Sequence, residues 1–246
     1  GQVDVSHVEL RGGGIEAVPI LEQAKEMDLK VVVIDRNADC PGFKVADEVL
    51  ECDIFDCTKA TALAETLDPV PKGVLCAACD APATQAEIAY ALDLHGPSRT
   101  IAWMCADKLA MKIHLSRHGV LVPWFTSVRS GCHLRAIVEE DPTWYVIKPI
   151  DSRGARGVLR INHDSDIKSA YEEAKSQSVS GRVIAEKWLE GKQISVEASV
   201  HADGSCHFFP ADRNYTRLNE FNPYVVEDGG ETPSNDGARG QVTRAE

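Results

Sequence analysis

The chain has 246 residues, of which 43% are hydrophobic and 26% are charged, and this composition is ordinary for a soluble globular protein of one large or two smaller domains. No apolar run approaches the roughly 18 residues of a membrane span, and the N-terminus has no signal-peptide pattern, so the sequence predicts a cytoplasmic protein without a membrane partner. A net charge of −12 without a basic patch argues against nucleic acid as a main partner.

Residues 1–103 alternate between β and α patterns, which is typical of an open, doubly wound parallel sheet. The β-branched run Val31–Ile34 is of the kind that is buried in such a sheet. We predict strands at 7–10, 31–34, 48–54 and 73–78, and helices at 15–27, 58–67 and 82–94. Thr58 is the expected N-cap of the second helix, and Pro82 lies near the start of the third.

The first turn of this region is rich in glycine. Gly12, Gly14 and Ala17 fit the pattern G-x-G-x-x-A, and Asp35 follows about twenty residues later, as in dinucleotide-binding βαβ units. The same glycines suit any tight corner between a strand and a helix. The pattern therefore leaves a dinucleotide site and a structural turn as two open interpretations.

Eight cysteines are scattered along the chain, and Cys76 and Cys79 form a C-x-x-C pair. A zinc site would need a second pair or suitably spaced histidines, and the sequence has neither. A redox-active pair is an alternative. Because apolar residues precede Cys76 as at the end of a buried strand, we interpret the two as inert core thiols in a reducing compartment.

The middle of the chain begins with an amphipathic helical pattern at 107–118, for which Gly119 is a suitable C-cap. A strand is predicted at 120–128, and Pro123 confines it to a sheet edge or makes it start late. A helix is predicted at 132–140.

The most informative stretch is Val146–Val158, with the sequence VIKPIDSRGARGV. An apolar strand ends in Lys148, a loop containing Ser152, Gly154 and Gly157 follows, and a second strand is expected at 158–161. Backbone N–H groups of a glycine loop can converge on phosphate oxygens, and the lysine adds a positive charge beside them. The alternative is an ordinary hairpin with a polar turn.

The remaining pattern predicts a helix at 164–177 with Asp164 as N-cap, and strands at 182–188, 193–200 and 205–212. From Asp228 the sequence becomes polar and rich in glycine. We expect no further packed element there, so that this part of the fold would be incomplete at its C-terminus.

Four segments, in this order, resemble the ATP-grasp ligases that carry a preceding Rossmann-like domain, such as biotin carboxylase, the carbamoyl phosphate synthetase large chain and ATP-dependent amino-acid ligases. The segments are residues 12–56, the run Asp107-Lys108 to Pro123, the run Val146–Gly157, and Glu186–Gly191 followed by Ser195–Glu197. The resemblance implies an α/β fold with a Rossmann-like domain at 1–103, a linker helix and small ATP-grasp lobe at 104–185, and a truncated large lobe at 186–246.

The same resemblance implies which residues bind ATP. Lys108 and Lys148 would contact the phosphates, and the loop around Ser152, Gly154 and Gly157 would close over them. Glu186 would accept a hydrogen bond from the adenine amino group or orient it, and Lys187 and Leu189 would offer backbone groups to the adenine edge. Gln193 stands where many members place a carboxylate on the ribose hydroxyls, and an amide can still accept from one hydroxyl and donate to another.

The implied reaction transfers a phosphoryl group from ATP to a carboxylate or bicarbonate, and an amine or other nucleophile then displaces phosphate. Mg²⁺ is the implied metal, but its carboxylate ligands and a catalytic arginine are expected beyond Glu246, so no metal ligand or catalytic residue is assigned here. Arg213, Arg217 and Glu227 could face an acceptor substrate, but the simpler interpretation is surface charge. The expected partners are small-molecule substrates, and a homodimer is left open.

Two other functions remain consistent with parts of the sequence. An NAD-dependent oxidoreductase would use Gly12, Gly14, Ala17 and Asp35, but it gives residues 146–200 no role. A non-catalytic nucleotide-binding module would keep the lysines and the loop and lack the metal carboxylates.

Overall fold

A computed structural model describes residues 7–76, 79–191, 193–200, 203–215 and 227–231. The chain divides into two compact units, 1–118 and 119–246. The domain boundaries drawn from the sequence near residues 103 and 185 stay a prediction. Within the described ranges, every helix is too short or too polar to cross a lipid bilayer.

The first unit is built around a four-stranded parallel sheet. Its strands are β1 (His7–Arg11), β2 (Lys30–Asp35), β3 (Glu48–Glu51) and β4 (Gly73–Cys76), in the spatial order β3-β2-β1-β4. Its helices are α1 (Val18–Glu26), α2 (Cys57–Ala64), α3 (Pro82–Ala91), α4 (Arg99–Ala106) and α5 (Lys108–Arg117). The predicted Rossmann-like open parallel sheet is confirmed.

Strand β2 lies between two partners and is covered on both faces, which explains its unbroken apolar run. Val31 and Val33 pack in a cluster with residues of α1, whereas Ile34 packs with residues of α2 and α3. All three side chains are fully buried. The alternation along the strand thus places the helices on opposite sides of the sheet.

The second unit contains two antiparallel sheets. The first consists of β5 (Phe125–Val128), β6 (Tyr145–Pro149), β7 (Leu159–Ile161) and β8 (Val183–Lys187), in the order β5-β8-β6-β7. The second consists of β9 (Gln193–Val200), β10 (Cys206–Tyr215) and β11 (Glu227–Glu231), in the order β11-β10-β9. The helices are α6 (Gly131–Glu140) and α7 (Ile167–Ser176).

Helices α6 and α7 cover one face of the four-stranded sheet, and this core positions the residues on the other face. Tyr145, Ile147, Leu159 and Ala185 pack in a cluster with residues of both helices. Side chains alternate along a strand. The intervening residues of β6, β7 and β8 therefore share the opposite face: Val146, Lys148, Arg160, Ile184 and Glu186.

Two predicted helix caps are wrong by two residues each, in opposite directions. Asp56 rather than Thr58 caps α2, because its carboxylate accepts a hydrogen bond from the Lys59 N–H at 3.0 Å. Asp166 rather than Asp164 caps α7 and accepts from the Ser169 N–H. A cap side chain must reach the N–H three residues ahead, and the carboxylates satisfy that requirement at these positions.

Two elements were not predicted. Helix α4 begins after Ser98, whose hydroxyl accepts from the Ile101 N–H, but its apolar residues Ile101 and Trp103 are exposed and give no clear periodicity. Strand β11 forms within the polar, glycine-containing segment and pairs with β10 from Asp212 to Tyr215. The expectation of no further element after Asp228 is therefore wrong, because backbone pairing with a neighbouring strand does not require apolar side chains.

Candidate functional site

Two glycines of the turn after β1, Gly12 and Gly13, are buried against other protein atoms, whereas Gly14 is exposed. The Gly13 N–H donates to Asp35 Oδ2 at 2.8 Å, and the Asn37 N–H donates to Asp35 Oδ1 at the same distance. A Cβ added to Gly13 would lie 2.3 Å from Cys40 Sγ, and the Gly42 N–H donates to the Gly13 carbonyl. Both oxygens of Asp35 thus brace backbone, which favours a structural turn over a dinucleotide site.

The C-x-x-C pair lies beside this turn. Cys76 ends β4, and its Sγ is 3.1 Å from Cys79 Sγ. A Cβ on Gly12 would lie 3.0 Å from Cys79 Cβ, so the second cysteine packs against the turn. Both cysteines are half-buried, and the prediction of core thiols is wrong in that respect because the chain leaves the sheet after Cys76.

Lys108 is the first residue of α5, directly after Asp107, whose side chain caps the helix by accepting from the Leu109 and Ala110 N–H groups. A lysine in the first turn adds its charge to the positive end of the helix dipole. That arrangement is unfavourable for the helix alone and favourable for an anion. Lys108 belongs to the first unit.

The other predicted phosphate-binding residues lie on the hairpin formed by β6 and β7. Tyr145 pairs with Ile161 and Ile147 with Leu159, so the predicted strand–loop–strand is confirmed. Three residues of the loop between the strands have a positive φ: Gly154 at 62°, Ala155 at 54° and Gly157 at 68°. This backbone favours glycine and turns the chain sharply.

The two ends of this loop are fixed, whereas its tip is open. Asp151 accepts hydrogen bonds from the Ser178 hydroxyl and from the Val179 and Ser180 N–H groups, at 2.7 to 3.1 Å. Burial alone raises the pKa of Asp151, but the hydrogen bonds from Ser180, Ser178 and Val179 outweigh it and lower the pKa. A Cβ on Gly154 would meet nothing within 4 Å.

Gly157 closes the loop by packing. A Cβ at this position would lie 2.9 Å from Gln177 Cβ and 3.1 Å from Pro149 Cγ. Together with Asp151, it ties the loop to the turn after α7. The geometry is that of a flap of residues 152–157 with a firm base.

Lys148 and Glu186 meet on the sheet face opposite α6 and α7. Lys148 Nζ lies 2.8 Å from Glu186 Oε1, and the two side chains are 21% and 8% exposed. The register explains the contact, because Val146 pairs with Glu186 and Lys148 is two residues along the same face. The pair places a positive charge at the base of the flap and a carboxylate at the end of β8.

The backbone after β8 is held by two hydrogen bonds to neighbouring segments. The Lys187 N–H donates to the Trp124 carbonyl and the Trp188 N–H to the Trp144 carbonyl, both at 2.9 Å. Among the residues that the structure describes, the Lys187 carbonyl and the Leu189 N–H take part in no backbone hydrogen bond. These groups remain available to a ligand.

The side chain of Lys187 has no proposed role in binding adenine. Its ammonium group forms an ion pair with Asp141, and this hydrogen bond raises the pKa of Lys187. Leu189 is exposed. Gln193 is the first residue of β9, is exposed, and pairs with Arg213 of β10. The structure therefore brings together Lys148, Glu186 and the backbone of 187–189, all within the second unit.

Sequence patterns did not single out several residues around this site. Arg160 lies over the rings of Trp144 and Trp188, and Asp151 holds the base of the flap. The alternation of strand residues could have placed Arg160 on the same face as Lys148. No local pattern could have paired Asp151 with a turn that lies 27 to 29 residues away.

The described parts of the chain contain no group of three or more His, Cys, Asp or Glu side chains that could hold a metal ion. No metal ligand is assigned among these residues.

Comparison with known families decides the wider relationship. The ATP-grasp domain model matches residues 105–245, which is more than half of the chain and includes the flap, Lys148, Glu186 and the segment 187–189. This chain belongs to the ATP-grasp family. An independent comparison of folds points the same way. The crystal structure of an L-amino acid ligase from Bacillus licheniformis has a TM-score of 0.74 at 18% identity, covering 95% of this chain and 56% of that one.

Two further proteins are similar to most of this chain and to about half of their own length. A crystal structure of N5-carboxyaminoimidazole synthetase from Staphylococcus aureus complexed with ADP has a TM-score of 0.72 at 19% identity, covering 92% of this chain and 58% of that one. The formate-dependent phosphoribosylglycinamide formyltransferase of Herminiimonas arsenicoxydans is 25% identical over 218 residues, 83% of this chain and 52% of the relative. The chain spans about half the length of the curated relatives it matches.

Proposed function

We propose that this protein binds ATP and transfers its terminal phosphoryl group to a carboxylate or bicarbonate, forming an acyl phosphate that an amine or another nucleophile then attacks. The observation that carries the proposal is the convergence of the flap, the Lys148–Glu186 pair and the free backbone edge at 187–189 within one unit. Membership of the ATP-grasp family supports the same reaction class.

The adenine ring is held by the chain after β8. The Lys187 carbonyl accepts from the exocyclic amino group, and the Leu189 N–H donates to ring nitrogen N1. Glu186 lies directly before these groups and orients the amino group from the strand end. Each hydrogen bond contributes about 1 kcal/mol, and more is lost when a nucleotide cannot use the buried groups.

The phosphates are held from the flap side. The ammonium group of Lys148 has three donors, so it keeps its contact with Glu186 while donating to phosphate oxygens. Backbone N–H groups of Ser152, Gly154 and Gly157 close over the phosphates, and the role of Lys108 at the start of α5 stays a prediction from the sequence. These groups orient the triphosphate and neutralise charge that develops on it as the bond to the leaving ADP breaks.

In the reaction, an oxygen of the carboxylate attacks the terminal phosphorus and ADP leaves with the electron pair of the broken P–O bond. The nucleophile then attacks the acyl carbon, and inorganic phosphate leaves. Mg²⁺, when bound, would screen the phosphate charges. No ligand is assigned to it among the described residues, and no step is assigned to the metal. Release of ADP across a panel of carboxylates would identify the acceptor.

We also propose that the protein works in the cytoplasm on small-molecule substrates. A homodimer is compatible with this role, and light scattering during size-exclusion chromatography would determine the oligomeric state.

Isothermal titration calorimetry with ATP, in parallel with NAD⁺ and NADH, tests the proposal. The protein is expected to bind ATP and neither dinucleotide. Lys148→Met is expected to weaken ATP binding by about 2 kcal/mol, or roughly thirtyfold, because a charge-assisted contact to phosphate is lost.

Lys168→Met provides a matched control, since Lys168 is exposed on α7, which covers the opposite face of the sheet. That variant should bind ATP like the unaltered protein. Unchanged ATP affinity and turnover in Lys148→Met would refute the role of Lys148. Binding of NAD⁺ without ATP would refute the whole assignment in favour of an oxidoreductase.

A further inference from the structure

The guanidinium group of Arg160 lies over the rings of two tryptophans at the end of the sheet. Its Cζ lies 4.0 Å from the centre of the Trp144 ring and 4.8 Å from that of the Trp188 ring. Arg160 Nη2 also lies 3.2 Å from Glu190 Oε1. A planar guanidinium group stacks on aromatic faces in a way that a lysine ammonium group cannot reproduce.

The register explains why these side chains meet. Arg160 of β7 pairs with Val146 of β6, and Trp144 lies two residues earlier on the same face. The Trp188 N–H donates to the Trp144 carbonyl, which continues the ladder between β6 and β8 beyond their ends. The two rings thus stand next to each other, and Arg160 reaches both from the neighbouring strand.

The residues that Arg160 holds are Trp188 and Glu190, and they flank Leu189 on both sides. The indole N–H of Trp188 is buried and has no hydrogen-bond partner in the part of the chain that the structure describes, so no hydrogen bond orients this ring. The Arg160 side chain is 19% exposed, whereas that of Glu190 is 78% exposed. Stacking on the rings therefore restrains the backbone around Leu189 more than the exposed ion pair does.

We propose that Arg160 is a positioning residue for adenine recognition: by stacking on Trp144 and Trp188 it fixes the backbone of Leu189, so that the Leu189 N–H points at ring nitrogen N1. This inference rests on the proposed ATP site. Arg160 itself touches neither the adenine ring nor the phosphates. Its effect is confined to the hydrogen bond that Leu189 donates.

The test compares ATP with 1-deaza-ATP, in which a C–H group replaces ring nitrogen N1. The unaltered protein should bind ATP about tenfold more tightly, because 1-deaza-ATP leaves the Leu189 N–H without an acceptor. In Arg160→Met this preference should fall to about twofold or less, with most of the loss on the ATP side. A ratio of two affinities measured on one variant does not depend on the fraction of folded protein.

Arg135→Met is the matched control, since Arg135 forms an exposed ion pair with Glu139 on α6, which packs against the other face of the sheet. It should keep the full preference for ATP. Arg160→Lys, which keeps the charge but loses the planar stack, should resemble Arg160→Met.

The outcomes distinguish the positioning role of Arg160 from the proposed ATP site. Equal weakening of ATP and 1-deaza-ATP in Arg160→Met, or an unchanged ratio, would overturn the positioning role and leave the ATP site intact. Failure of the unaltered protein to bind ATP, or equal binding of the two nucleotides, would overturn the adenine contacts and this inference with them.

Discussion

Each of the two units contains a glycine-rich segment directly after a strand, and the surroundings of the two segments differ. Gly12 and Gly13 of the first segment are buried against Cys79, Cys40 and Gly42, and Asp35 accepts from the Gly13 N–H. In the flap at 152–157, Gly157 is packed at the base, whereas a Cβ on Gly154 would meet nothing within 4 Å. Glycine serves close packing at Gly13 and Gly157 and backbone conformation at Gly154.

The comparison shows that glycine spacing alone does not identify a phosphate site. A ligand needs backbone N–H groups that the protein does not already use. At Gly13 the N–H is used by Asp35 and the neighbouring space is filled by Cys40. At Gly154 in the flap the neighbouring space is open, and Lys148 supplies positive charge at the base of the flap.

The largest effect on stability is expected from adding a side chain at Gly13 in the first turn. Gly13→Ala would place a methyl group against the buried Cys40 thiol, which should lower the free energy of unfolding by about 3 kcal/mol. ATP affinity of the folded protein should not change. Chemical denaturation measures the first quantity and calorimetry the second.

The double variant Gly13→Ala/Cys40→Ala sharpens this test, because it removes the sulfur atom that the new methyl group meets. Most of the lost stability should return. If Gly13→Ala were as stable as the unaltered protein, or if it lost ATP binding while remaining folded, the structural role of the turn would be wrong.

The next effect separates the base of the flap from its tip. Gly157→Ala adds a clash with Gln177 and Pro149 to the cost of a positive φ, and should cost about 2 kcal/mol of stability. Gly154→Ala meets open space and should cost about 1 kcal/mol, from its φ alone. Both variants should weaken ATP binding, since both alter the flap backbone. Equal stability costs in thermal or chemical unfolding would contradict a fixed base with an open tip.

The smallest effect concerns the pH dependence of the flap base. Asp151 has a lowered pKa in the folded state because of its hydrogen bonds to Ser180, Ser178 and Val179, so its contribution to stability is present above the unfolded pKa of about 4 and is lost as the pH falls through the folded pKa. Asp151→Asn should lower the free energy of unfolding by about 1 kcal/mol at pH 7. The NH₂ group of asparagine cannot accept the hydrogen bond that the Ser180 N–H donates to Asp151 Oδ2.

The difference between Asp151→Asn and the unaltered protein should narrow as the pH drops below about 4, because the unfolded chain then takes up a proton at Asp151 while the folded protein, with its lowered pKa, still holds the carboxylate charged. Urea unfolding at several pH values measures this difference. A constant difference from pH 7 to pH 3 would show that the carboxylate charge does not hold the base of the flap.

Local patterns were sufficient to predict most strands and most helices, because burial on one or two faces leaves a period in the sequence. The hairpin that carries Lys148 could be predicted from the pattern of a strand, a glycine loop and a second strand. The ion pair of Lys148 with Glu186 and the hydrogen bonds of Asp151 could not be predicted, because both join segments separated by 27 residues or more. Helix α4 escaped prediction since its large apolar side chains face solvent.

The glycine turn illustrates the opposite limit. Gly12, Gly14, Ala17 and Asp35 satisfied a dinucleotide pattern, yet what decides between a site and a structural turn is the packing of Cys40 against Gly13. That contact depends on where a later loop folds back, and a short motif does not encode it. The same sequence features therefore carried correct information about the fold and incomplete information about the ligand.

Hydrogen–deuterium exchange with and without saturating ATP tests the central claim most directly, because it follows both glycine segments in one experiment. ATP should slow amide exchange in the flap at 152–157 and at Leu189, and should leave exchange at Gly12–Gly14 unchanged. Slower exchange at Gly12–Gly14, with no change in the flap and at Leu189, would contradict the account.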